Sequence, residues 1–106
     1  MKKKKATFKD IVRSSKPTLV DFYATWCGPC KAMMPAIHEV SQRVGDNAKV
    51  IKIDIDKNQK LANKLNIRSV PTLMIYKEGK VMWRQTGGMS AKQLERAITE
   101  LSLIHI

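Results

Sequence analysis

Cys27 and Cys30 are the only two cysteines of the 106-residue chain, and Gly28 and Pro29 lie between them. Two thiols at that spacing can close a small disulfide and can exchange it with another. The stretch before them, LVDFY at 19–23, reads as a strand, and a helical period begins at Pro29. Cys27 therefore falls between the end of a strand and the start of a helix. Pro29 suits a first helical turn, where its missing N–H costs nothing. The unpaired N–H groups of that turn and the helix dipole face Cys27 and favour a thiolate over a thiol. Such settings bring a cysteine pKa from about 8.5 to about 7 or lower. The implied chemistry is thiol–disulfide exchange: Cys27 attacks a substrate disulfide, and Cys30 resolves the mixed disulfide. This reading expects Cys27 to be reachable and Cys30 buried behind it.

Neighbouring residues extend the constellation. Asp21 interrupts an apolar strand, and a buried carboxylate there would accept the proton of Cys30, directly or through a water. A solvent-facing strand position is the plainer alternative. Lys52 falls on the polar side of its own strand and is placed beside Asp21 to tune it. Trp26 offers an apolar lip next to the nucleophile, Gly28 leaves room for a substrate backbone, and Pro29 limits how the dithiol loop relaxes. Gly87 and Gly88 either leave space for a bound chain or simply turn. Three other uses of the cysteines carry less weight. A metal site lacks a second ligand pair, since only His38 and His105 remain and neither has a zinc spacing. A structural disulfide would pin only a four-residue loop. Inert core cysteines would not need a Gly-Pro turn between them.

The elements that would hold these residues follow from periodicity. Thr7–Ser14 reads as a short helix capped by Thr7. Met33, Ile37, Val40 and Val44 recur at helical spacing up to Gly45. Lys49–Ile55 alternates as a strand, and Asn58–Leu65 returns to helix. Strands at 72–76 and 81–86 form a hairpin around Glu78-Gly79. Ser90 caps a last helix carrying Leu94, Ala97, Ile98 and Leu101. Strands joined by helices favour parallel neighbours with right-handed crossovers, and the hairpin adds an antiparallel edge. The fold class is α/β, a mixed sheet of four strands, or five if the N-terminal stub pairs, with helices on both faces.

Length points to one domain over 1–106, with a basic segment at 1–6. Twenty Lys and Arg face nine Asp and Glu, for a formal charge of +11. Such a surface attracts acidic partners, yet the cations are scattered and form no basic-aromatic stripe, so specific nucleic-acid binding is not expected. No apolar run reaches the roughly 18 residues of a membrane span. Lys2–Lys5 are not followed by the apolar segment of a secretory leader, which favours the cytoplasm, export after leader removal being the alternative. The charge also favours a monomer.

WCGPCK at 26–31, with Asp21 five residues ahead of the tryptophan, resembles the thioredoxin family. The likeness extends through LVDFYATWCGPCKAMMP (19–35), IRSVPTLMIYKEGK (67–80) and QTGGMSAKQL (85–94), almost the whole chain, and in its motif is that of the small bacterial type. It implies the thioredoxin fold and protein-disulfide reduction, with Cys27 as nucleophile, Cys30 as resolving thiol and Asp21 as proton acceptor beside Lys52. It implies a cis Pro71, with Val70 offering backbone hydrogen bonds to substrate, and a docking groove lined by Trp26, Gly87 and Gly88. No bound cofactor or metal is implied. Electrons would come from NADPH through a thioredoxin reductase and pass to disulfide-containing clients such as ribonucleotide reductase, peroxiredoxins and methionine sulfoxide reductase. Two alternatives stand beside this role: a redox protein dedicated to one partner, and a binding subunit whose cysteines are incidental. Tyr23, where many bacterial members carry tryptophan, the lysine-rich start and the positive charge depart from the family pattern.

Overall fold

The computed structural model describes residues 7–103. The expected basic segment and stub strand at 1–6, and His105, lie outside them. Helix α1 (Phe8–Val12) opens the described chain. The Thr7 hydroxyl accepts from the Asp10 N–H, and the Asp10 carboxylate accepts from the Thr7 N–H, so two end groups that a short helix leaves unpaired are satisfied. Next come β1 (Thr18–Tyr23), α2 (Gly28–Val44) and, after a single 3-10 turn at Gly45–Asn47, β2 (Lys49–Asp54). The short α3 (Gln59–Lys64), β3 (Thr72–Lys77), β4 (Lys80–Thr86) and α4 (Ala91–Ser102) complete the order.

Among the described residues the strands form one sheet in the order β2-β1-β3-β4. β1 and β2 are parallel, as a helical crossover of 17 residues allows. At 1.5 Å per residue α2 runs about 25 Å, enough to carry the chain back to the start of the sheet. β3 departs from the parallel expectation, because it runs antiparallel to β1. The reason is the length of the link. α3 has six residues and rises only about 9 Å, so the chain stays at the end where β2 stops. Tyr23 pairs with Asp54 and Phe22 with Thr72, which gathers the ends of β1 and β2 and the beginning of β3 at one place.

The pleat then sorts side chains to two cores. Leu19, Leu73 and Ile75 pack with Met33, Ile37 and Val40 of α2 and Leu94 and Ile98 of α4. Val20, Phe22, Met74 and Tyr76 face the other way, against Val12, Phe8, Leu61 and Leu65. Helices thus cover both faces. Phe8 meets the Tyr76 ring edge-on at 5.3 Å between centroids, which fixes α1 on its face. Ser90 caps α4 with the same reciprocal arrangement seen at Thr7, using Gln93.

Candidate redox site

Both cysteines lie at the end of the sheet where β1 and β2 finish. They are joined as a disulfide, with Cα atoms 5.3 Å apart. Cys27 is the N-cap of α2, and its sulfur accepts the Cys30 N–H at 3.1 Å. The amides at the helix start therefore do face this sulfur. Pro29 stands in the first turn, as expected, and Pro35 lies inside the helix, where it removes the N–H that would reach the Lys31 carbonyl.

One expectation fails here. Cys27 and Cys30 are equally enclosed, each 4% exposed, so the nucleophile does not stand in front of a buried partner in this oxidised state. The bond itself draws the Cys27 sulfur toward Cys30, and both pack with Ala24 against Tyr23, Ile55 and Val70. Trp26, Gly28 and Pro29 remain exposed around them.

Val70–Pro71 is a cis peptide. The Val70 carbonyl oxygen lies 3.6 Å from the Cys27 sulfur. The Thr72 hydroxyl donates to the Ser69 carbonyl at 2.7 Å and closes this turn. Gly87, at φ +99, donates its N–H to the Pro71 carbonyl at 2.9 Å. A positive φ explains glycine there. Gly88 abuts Met33, so the glycine turn lies beside the same segment.

Asp21 is 2% exposed, on the face of β1 that looks toward α2. Its Oδ1 has no hydrogen-bond partner among the described residues. Burial raises its pKa from 3.8 to about 6, and the Lys52 charge works against that rise. Lys52 is its register partner on β2 and reaches over the Tyr23 ring, 5.6 Å from the centroid. Asp21, Cys30, Lys52 and Met34 line a common cavity of about 240 Å³. A water takes about 30 Å³ in the liquid, so a relay between Asp21 and Cys30 has room.

Sequence reasoning missed the support of Trp26. Its indole is 68% exposed, but its Nε1–H donates to Asp56 Oδ2 at 2.9 Å. Asp56 in turn donates its N–H to Asp54 Oδ1 at 2.8 Å, and Asn58 Nδ2 donates to the Asp54 carbonyl at 2.9 Å. The acidic residues that follow the β2 alternation were the available signal. No group of three or more metal-ligating side chains occurs among the described residues.

Comparison with known proteins bears on the whole chain. Residues 1–100 match the thioredoxin family model. The chain is 46% identical over 99 residues to the chloroplastic thioredoxin Y of Oryza sativa, covering 90% of this chain and 59% of that protein. It is 49% identical over 75 residues to thioredoxin 1 of Synechococcus elongatus, covering 70% of each. The chain spans only 55–59% of the length of the three chloroplastic plant relatives it matches. A solved mutant thioredoxin from Halobacterium salinarum superposes with a TM-score of 0.82 at 32% identity, over 92% of this chain and 85% of that one.

Proposed function

The chain belongs to the thioredoxin family, whose chemistry is thiol–disulfide exchange through the Cys27–Cys30 pair, and we propose that it reduces disulfides in client proteins. The observation that carries this reading is the Cys30 N–H directed at the Cys27 sulfur. In the reduced protein the same amide, with the helix dipole behind it, stabilises a Cys27 thiolate. That thiolate attacks one sulfur of a client disulfide and expels the other as a thiolate, leaving a mixed disulfide. Cys30 gives its proton to the Asp21 carboxylate and attacks the Cys27 sulfur. The second client thiolate leaves, and the disulfide seen in this structure remains. Two electrons have passed to the client.

The other assignments have matching support. Lys52 lies beside Asp21 and lowers its proton affinity. The Val70 carbonyl, next to the sulfur, can accept a hydrogen bond from an extended client backbone, with Pro71 holding the turn. Exposure of Trp26, Gly28 and Pro29 beside Cys27, and the Gly87 N–H bond to Pro71 with Gly88 next to it, support assigning these five residues to client docking. A thioredoxin reductase supplied by NADPH returns the disulfide to the dithiol. We read the motif as the small bacterial type, working as a monomer in the cytoplasm. The match to the Bacillus subtilis thioredoxin, 40% identical over 79% of that protein, supports the type.

Insulin reduction by dithiothreitol tests the reading. The wild-type protein is expected to accelerate precipitation of the insulin B chain, and Cys27→Ser to give the uncatalysed rate. Equal rates for the two proteins would refute it.

A further inference from the structure

We infer that the clients preferred by this chain carry acidic side chains next to their disulfide; the inference rests on the disulfide reduction proposed above. Three exposed cations flank the atoms that such a client must meet. Lys31 follows Cys30 and lines the cavity with it. Lys57 follows Asp56, the acceptor for Trp26. Arg68 stands two residues before Val70. None of the three forms an ion pair among the described residues, where both salt bridges belong to Arg43.

Except for Asp56, the anions that would balance them are buried, committed or distant. Asp21 and Asp54 are buried. Glu39 and Glu95 pair with Arg43, Asp10 lies at the start of α1, and Asp56, bonded to the uncharged Trp26 indole, is one exposed carboxylate beside three cations. Asp46, Glu78 and Glu100 sit at the other end of the fold: past the far end of α2, in the β3–β4 turn and in the last turn of α4. The length of α2 alone, about 25 Å, exceeds the Debye length of about 8 Å at physiological ionic strength. Those carboxylates are therefore screened from the rim of the site, where three cations against Asp56 leave a net positive charge. With +11 on the whole chain, long-range attraction and the local rim act in the same direction.

A polypeptide suits this rim better than a nucleic acid. The acceptor at its centre is the Val70 carbonyl, which faces the reacting sulfur and suits the N–H of an extended backbone. Trp26 is the one exposed large aromatic among the described residues, so successive bases would find no stacking platform there.

The test uses three cystine peptides of equal length, with Glu, Gln or Lys on both sides of the disulfide. The full chain, recycled by dithiothreitol, reduces each at low and high ionic strength. At about 0.01 M, where the Debye length is about 30 Å, the Glu peptide should react roughly tenfold faster than the Lys peptide. At about 1 M, where that length is about 3 Å, the preference should vanish. The double variant Lys57→Glu Arg68→Glu should lose or invert the preference while reducing the Gln peptide at the wild-type rate. The double variant Lys57→Gln Arg68→Gln, which introduces no new repulsion, should fall between. Equal rates for all peptides, or a preference that survives charge reversal, overturn this inference alone. Failure to reduce any peptide overturns disulfide reduction and this inference with it.

Discussion

Asp21 is the residue at which stability and chemistry oppose each other. Its folded pKa of about 6 stands above the unfolded value near 3.8, because burial disfavours the charged form. The folded chain therefore holds this proton more tightly, and between those two values it loses stability as pH rises. Above the folded value the full penalty applies, about 3 kcal/mol at ~1.4 kcal/mol per unit. Below the unfolded value it is absent. Asp21→Asn should accordingly raise the free energy of unfolding at pH 7–8 by roughly 2–3 kcal/mol, and the gain should fade toward pH 4. The same variant should slow release of mixed disulfides, since Cys30 would lose the proton acceptor proposed for it. Urea unfolding across that pH range, beside insulin turnover, measures both. A gain that does not change with pH would assign the effect to something other than titration. The position of Asp21 was legible, since a carboxylate inside LVDFY needs a reason. The tie between Trp26 and Asp56 was not, because hydrogen-bond partners 30 residues apart leave no periodic trace.

The elements were legible wherever one face is apolar. The period of Met33, Ile37, Val40 and Val44 gave α2, and the alternation of Ile51 and Ile53 gave β2. Direction was harder. Whether β3 runs with or against β1 depends on where the link from 55 to 71 ends, and a periodic pattern carries no such information. That link also delivers Val70, whose carbonyl lies beside the Cys27 sulfur, and its last turn is closed by one side chain. Thr72 is 1% exposed and its hydroxyl holds the Ser69 carbonyl. Thr72→Val keeps the strand propensity and the shape while removing this bond. Its loss should cost about 1 kcal/mol in unfolding. If the turn positions Val70 for clients, kcat/KM for a peptide disulfide should fall several-fold while alkylation of reduced Cys27 by iodoacetamide stays unchanged. The Arg84 guanidinium, which donates to the Leu65 and Asn66 carbonyls at 2.6 and 2.8 Å, holds the link just after α3 and so leaves the defect confined to the turn. Unchanged turnover in Thr72→Val would show that the bond serves folding alone.

At the scale of the whole molecule, charge is the property that the fold does not neutralise. The net +11 is spread over 106 residues, and the salt bridges between described residues are those of Arg43 with Glu39 and Glu95. Both of its pairs have partly exposed side chains, and such pairs contribute about 0–1 kcal/mol each. Screening therefore removes little attraction. The repulsion it removes is larger, because folding brings like charges closer than the unfolded chain does. Sodium chloride raised from about 0.01 M to about 0.15 M shortens the Debye length from about 30 Å to about 8 Å, less than the span of α2. Stability should then rise on the order of 1 kcal/mol, which for a domain of this size raises Tm by about 4–8 °C. The same salt step near pH 10, the isoelectric point of the sequence, where the net charge vanishes, should give a smaller rise. Sucrose, which stabilises by exclusion and not by screening, provides the contrast, since its effect should be alike at both pH values. A melting temperature that falls with salt at pH 7 would mean that attractive pairs outweigh repulsion, and the positive rim could not then be treated as uncompensated charge.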